Sequence, residues 1–114
     1  MAHSEDGVTW SRNGVDILSD RLGADECQAS PDVLRHEGRY HMFFCYKHGH
    51  DFRKNDRGYR IGYASSQDLG LWVRDDERAG IGLSNQGWDN QAIAYPHVFN
   101  LDGCLLYTSD AADE

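Results

Sequence analysis

A nine-residue pattern occurs twice in this chain. Ser4-Glu5-Asp6-Gly7-Val8-Thr9-Trp10-Ser11-Arg12 reads SxDxxxWxR, and Ser66-Gln67-Asp68-Leu69-Gly70-Leu71-Trp72-Val73-Arg74 reads the same way 62 residues later (66 − 4). A second repeat is interleaved with the first. Pro31-Asp32-Val33-Leu34-Arg35-His36-Glu37-Gly38 recurs as Pro96-His97-Val98-Phe99-Asn100-Leu101-Asp102-Gly103, 65 residues later (96 − 31). Two registers with nearly one period imply a single supersecondary unit of roughly 60 residues, stacked on copies of itself. On this reading the chain holds the tail of one unit, one whole unit and the head of a third. The boundaries fall at 1–24, 25–87 and 88–103.

Charge and cysteine usage narrow the function classes. The net charge is −8, from 19 acidic and 11 basic residues, so the basic face that nucleic acid requires is not expected. The cysteines, Cys27, Cys45 and Cys104, are odd in number and lack CxxC spacing. They form neither a zinc set nor a disulfide framework, and free thiols fit a reducing, cytoplasmic compartment. No apolar run is long enough for a membrane span, and the start, Met-Ala-His-Ser-Glu-Asp, is too polar for a secretory signal. Three Trp and six Tyr suit a sheet core first and a sugar cleft second.

The whole unit parses as four antiparallel strands: Cys27 to Leu34, Arg39 to Tyr46, Gly58 to Ser65, and Leu71 to Arg74. Glu37-Gly38 makes the first turn, with Gly38 free to take positive φ. The second strand is apolar on both faces. Tyr40, Met42, Phe44 and Tyr46 point one way, Phe43 and Cys45 the other, so both faces are expected to be covered. Ser66 and Asp68 suit a turn in which short polar side chains bond nearby backbone amides. No amphipathic helix is evident. Four-stranded antiparallel sheets in tandem are the pattern of an all-β propeller, each sheet a blade that buries both faces against its neighbours.

These residues resemble a known family. The SQDLGLW turn after Ile61-Gly62-Tyr63-Ala64, and Ala29-Ser30-Pro31-Asp32-Val33 followed by Glu37-Gly38-Arg39-Tyr40-His41-Met42-Phe43-Phe44, resemble the five-bladed sugar propellers: arabinanases, β-xylosidases, invertases and levansucrases. The resemblance runs from Ser4 to Gly103. It implies a piece of a five-bladed propeller whose parent hydrolyses glycosidic bonds, with the chain's partners a glycan and the remaining blades of that parent. Alignment of the repeat places Met1 inside a third strand. Past Gly103, Cys104-Leu105-Leu106-Tyr107-Thr108-Ser109-Asp110-Ala111-Ala112-Asp113-Glu114 resembles a translated sequencing adapter. Residues 104–114 are therefore expected to be a non-native tail without function, although Leu105–Tyr107 fits a strand pattern.

Glycoside hydrolysis needs two carboxyl groups a set distance apart. The resemblance implies that they project from the innermost, first strand of each blade into a central channel. The catalytic candidates are therefore Asp25, Glu26 and Asp32. Candidates for substrate contact are Asp89 and His97 on the next unit, and Arg60 and Arg53 at the polar loop from His48 to Arg57 between the second and third strands, where a guanidinium can grip an anionic sugar. In arabinanase-like enzymes the catalytic Asp often precedes the blade-opening Pro, and here Ser30 and Tyr95 hold those places. The invertase WxNDPNG motif is absent. Each candidate also has a structural reading: Glu26 as a loop carboxylate, Asp32 as a turn acceptor, His97 as a hydrogen-bonded strand residue, and the arginines as partners of surface acids. His48, His50 and Asp51 in one loop do not make a metal site, and no cofactor is implied. The rival functions are a carbohydrate-binding propeller without a hydrolytic pair, or an accessory domain of a glycosyl-transfer or polysaccharide-biosynthesis protein. A stand-alone small β domain is a third.

Overall fold

A computed structural model describes residues 1–23, 25–50, 58–80 and 93–111. The chain is all-β and antiparallel. Its strands are β1 (Ala2–His3), β2 (Ser11–Arg12), β3 (Glu26–His36), β4 (Arg39–His48), β5 (Arg60–Ser66), β6 (Val73–Arg74), β7 (Ile93–Leu101) and β8 (Cys104–Ala111). The central sheet runs β3-β4-β5-β6 in chain order, the blade architecture expected from the repeat, and β1–β2 and β7–β8 are two-stranded sheets on either side of it in sequence. Among the described residues the single helical element is a 3-10 turn at Asp76–Ala79, in a stretch whose polar sequence suggests only a connector. The expected boundary between residues 87 and 88 lies outside the described residues.

The two repeats fold alike, residue for residue. Ala2 faces Arg12 and His3 faces Ser11, as Ala64 faces Arg74 and Ser65 faces Val73. In β7–β8, Leu101 faces Cys104 and Val98 faces Tyr107, as His36 faces Arg39 and Val33 faces Met42 in β3–β4. Both hairpins turn through two residues of positive φ, Glu37-Gly38 (51°, 79°) and Asp102-Gly103 (51°, 81°). That is the geometry a tight two-residue hairpin demands, and Gly takes the second place without strain. The segment Cys104–Ala111, expected to carry no function, does pair as a strand, because Leu105 and Tyr107 alternate onto the apolar face.

β4 buries both of its faces, as its sequence predicts. Phe43 and Cys45 join Ile61, Tyr63, Ile93, Ala94 and Val98 in one core, and Phe43 stacks on Tyr107 at 4.4 Å between ring centres. Met42, Phe44, Tyr46 and Ala64 form the other, packed against Ile17, Leu18, Leu22 and Trp72. The following unit therefore covers one face of the sheet, and the segment that enters the sheet covers the other. That burial is the main apolar driving force available to the chain.

A bulge interrupts the first strand of each unit. Ala29 pairs with Cys45 and Asp32 with Phe43, so Ser30 and Pro31 together oppose one residue. Tyr95 and Pro96 do the same between Ala94 and His97. Ser30 and Tyr95 sit at positive φ, 52° and 57°. Proline suits this place, since the extra residue of a bulge is out of the hydrogen-bond ladder. The bulge has a consequence for chemistry. It puts Asp32 on the same face as Ala29 and Leu34, the face toward β7; simple alternation would have put it on the other.

Candidate functional site

The bulge brings two predicted residues together. Asp32 Oδ2 accepts the backbone N–H of Val98 at 2.7 Å, and lies 3.0 Å from Nδ1 of His97. Asp32 and His97 occupy the same position in successive units, so the contact joins equivalent points of two neighbouring first strands. The Asp32 side chain is 34% exposed and that of His97 is 71% exposed. The Asp32 carboxylate and the His97 imidazole thus meet between β3 and β7, with the exposed Ser30 and Tyr95 two residues before them on their strands. Asp32 fits its structural reading as well, since its bond to Val98 ties two units together.

Glu26 has a different placement. Its side chain is wholly buried and that of Arg74 is 7% exposed. Arg74 starts on β6 and crosses the sheet over the rings of Phe44 and Tyr46, with its guanidinium 5.1 and 4.7 Å from their centres. It then grips Glu26 with two nitrogens, at 2.7 and 3.1 Å. Glu26 also accepts from Gln28 Nε2 at 2.7 Å and from the backbone N–H groups of Arg21 and Leu22 at 3.0 and 3.1 Å. Burial raises the Glu26 pKa, but the donors from Arg74, Gln28 and Arg21 outweigh it and hold the carboxyl below its ordinary value. A carboxylate with every acceptor position taken, buried and kept ionised, has the environment of a structural clasp. A general acid needs the reverse, a pKa raised toward working pH and a free face.

Asp76 completes the clasp. Its side chain is 2% exposed and it accepts from Arg74 Nε at 3.0 Å, Arg74 Nη2 at 2.9 Å, Arg21 Nη1 at 3.2 Å and the N–H of Tyr63 at 3.3 Å. Gly62 makes the space. A Cβ there would lie 2.5 Å from Phe44 Cζ and 2.8 Å from Asp76 Oδ1, so only glycine admits both the ring and the carboxylate. Composition singles out none of Arg74, Asp76 and Arg21 as site residues. A signal does exist for the first, since Arg74 is the final letter of the duplicated SxDxxxWxR. None exists for Asp76, whose burial depends on a 3-10 turn.

The other candidates are dispersed. Asp25 lies 3.6 Å from His50, at a half-exposed position. Arg60 is on β5, away from the first strand, and donates to the carbonyl of Gly58 at 2.8 Å. Arg53 and Asp89 lie outside the described residues. Among the described residues no three His, Cys, Asp or Glu side chains converge as metal ligands, and no helix is long and apolar enough to cross a membrane.

Comparison with solved structures shows the fold. The chain is similar to a glycoside hydrolase with a TM-score of 0.67 and 18% identity, over 91% of this chain and 28% of that one. The same figures relate it to a protein solved as a BT0996 RGII complex. The chain therefore has a glycosidase-like β fold. No family model matches it. By sequence it is 35% identical over 112 residues to the uncharacterized proteins MT1551 and Rv1502 of two Mycobacterium tuberculosis strains, CDC 1551 / Oshkosh and ATCC 25618 / H37Rv. The match takes in 96% of this chain and spans about a third, 34%, of each relative.

Proposed function

We propose that these residues belong to a five-bladed propeller that takes a glycan where the first strands of its blades converge, and that Asp32 is the carboxylate they supply to hydrolysis of a glycosidic bond. The observation that carries the proposal is the Asp32–His97 contact, an open carboxylate–imidazole pair at equivalent places on adjacent first strands. The fold likeness to a glycoside hydrolase supports it. So does length: the curated relatives are about three times as long as this chain, enough for about five units of the observed period. Asp32, held by two donors, is oriented as an acceptor. It suits the base, nucleophile or charge-stabilising side of the reaction, with the proton-donating carboxyl contributed from another blade. His97 would hold Asp32 in register and offer its exposed ring face to the sugar.

One observation favours a second reading, a carbohydrate-binding propeller without hydrolysis. Glu26 is consumed by Arg74, which leaves Asp32 as the one carboxylate at the open Asp32–His97 edge among the described residues. The test is a panel of oligosaccharides offered to the complete gene product, with release of reducing ends and binding both recorded. Hydrolysis that falls about a thousandfold in Asp32→Asn, with binding retained, supports catalysis. Binding without turnover that weakens in Asp32→Asn and His97→Ala supports the second reading. Turnover and binding untouched by either substitution rule the edge out as the site.

A further inference from the structure

The bulge in each first strand places one residue directly before its proline, Ser30 in β3 and Tyr95 in β7. Both stand at positive φ, 52° and 57°. Six glycines share that region at no steric cost, and among the described residues Tyr95 is the one aromatic there. A bulky side chain in the left-handed region crowds its own backbone, so glycine would suit the place better. The neighbours hold Tyr95 in position. Ile93, Ala94, Pro96 and Val98 are buried, while Tyr95 itself is 55% exposed. The ring therefore stands on a rigid base, with the ring of Pro96 fixing the backbone after it. Its exposure belongs to the position and not to the ends of the chain. Ser30 and Tyr95 are equivalent (95 − 30 = 65). Ser30 is exposed although the following unit packs on its strand, and Tyr95 is exposed although the preceding unit packs on its own. Neither neighbour in the repeat covers this place. A lone exposed tyrosine would need no explanation, but one kept in a strained conformation on a rigid base does.

We propose that Tyr95 is a stacking platform for one sugar ring of the glycan, a binding residue that sets that ring beside Asp32. The proposal rests on the glycan reading of the Asp32–His97 pair given above. Tyr95 lies two residues before His97 on β7, about 7 Å along the strand, and His97 lies 3.0 Å from Asp32. Platform and carboxylate are thus within the span of one or two sugar units. A sugar ring shows a face of C–H groups with slight positive charge. The face of an aromatic ring is negative, so the two attract, and both shed water on contact. The hydroxyls at the rim of the sugar stay free for polar partners such as Asp32 and His97. The ligand class is a sugar unit with an unsubstituted C–H face, bound by shape and not by charge. The bulge gives the arrangement its geometry, since an extra residue in a strand re-aims the side chain it carries. The two units then contribute differently at one repeat position, a small hydroxyl from β3 and a large ring from β7.

Calorimetric titration of the complete gene product with cellohexaose, xylohexaose, mannohexaose and arabinohexaose tests this, with a thermal melt of each variant. Tyr95→Gly and Tyr95→Asn remove the ring and install residues that accept positive φ. Affinity for the sugar that binds falls about tenfold in both, while the melting temperature holds or rises because strain is relieved. Tyr95→Phe keeps the ring and stays within about threefold of the unaltered protein. A tyrosine retained for structure gives the opposite pattern. Melting temperatures that fall in both the Gly and Asn variants overturn the proposal, whatever the affinity does. Asp32→Asn separates the platform from the site. Binding that weakens in Asp32→Asn and holds in both ring-less variants shows that the platform is wrong and the site stands. Binding indifferent to all of these substitutions, or no binding of any of the four sugars, overturns the site and the platform together.

Discussion

The turns at residues 4–12 and 66–74 are the same object in two settings. Ser4 Oγ accepts the N–H groups of Asp6 and Gly7 at 3.3 and 2.8 Å, and Ser66 Oγ accepts those of Asp68 and Leu69 at 3.2 and 2.9 Å. Asp6 Oδ1 accepts from Val8 and Thr9 at 2.8 Å each, and Asp68 Oδ1 from Gly70 and Leu71 at 2.9 and 3.0 Å. The same amide donors, those of Thr9 and Leu71 foremost, lower the pKa of each aspartate. Local chemistry is therefore complete in both copies. What differs is everything at a distance. Trp72 donates Nε1–H to the Leu69 carbonyl at 3.0 Å and packs on the Met42–Tyr46 core; Trp10 stands in solvent. Arg74 is buried across a sheet face; Arg12 is exposed. The pair teaches that this motif folds on its own side chains, while its Trp and Arg acquire an energetic role only when a complete sheet lies beneath them.

Matched substitutions break that comparison apart, beginning with arginine. Arg74→Ala leaves Glu26 and Asp76 buried without their cation, so urea unfolding should show a loss of about 3–5 kcal/mol. Arg12→Ala, the same letter of the motif, should stay within about 0.5 kcal/mol. Equal losses would mean that the turn itself, and not the buried clasp, uses the arginine. Trp72→Ala should cost about 2 kcal/mol, less than a fully buried Trp because this one is half-buried, and Trp10→Ala well under that. Thermal melts of the two variants decide it.

The clasp also predicts a pH dependence, in the same direction as that of the turn aspartates. The Glu26 pKa is lowered in the folded chain from the ordinary 4.5. The unfolded chain therefore binds more protons between the folded and unfolded values. Stability contributed by Glu26 is fully present above that ordinary value and is lost as pH falls through the folded one. Denaturation midpoints measured downward from neutral pH should drop in the acid range, and Glu26→Gln should flatten that slope while lowering stability at pH 7. An unchanged slope would detach Glu26 from the acid transition. The smallest effect concerns the residue after Asp. Gly7 and Leu69 take φ of 76° and 66°. Leu69→Gly should be neutral to about 1 kcal/mol stabilising, and Gly7→Leu destabilising by about 1 kcal/mol, because an L side chain is crowded in the left-handed region.

Much of the sheet was legible in the residues. The alternation of Met42, Phe43, Phe44, Cys45 and Tyr46 announces a strand covered on both faces, and the Glu37-Gly38 and Asp102-Gly103 turns fix the hairpin register. The candidate site was legible only in part. Asp32 and His97 stood out as repeat partners on first strands, and the structure brings them within 3.0 Å. Glu26 stood out equally, by its place beside the first strand, and the structure instead ties it to Arg74. No local pattern separates the two cases. Asp32 is turned toward its neighbour by a bulge at Ser30-Pro31, whereas Glu26 meets an arginine 48 residues away.

The sequence by itself determined the repeat, the strand order within the unit and the internal bonds of both SxDxxxWxR turns. Each of these rests on contacts between residues close in the chain, or on the period with which side chains alternate. Only the tertiary structure decided which carboxylate stays partly exposed and which is buried against an arginine. That choice depends on what crosses the sheet face: Gly62 leaves room, the 3-10 turn delivers Asp76, and Arg74 spans from the last strand to the first to find Glu26. Burial of a charge is settled by whatever charge reaches it through space, and that distance is not written in sequence spacing.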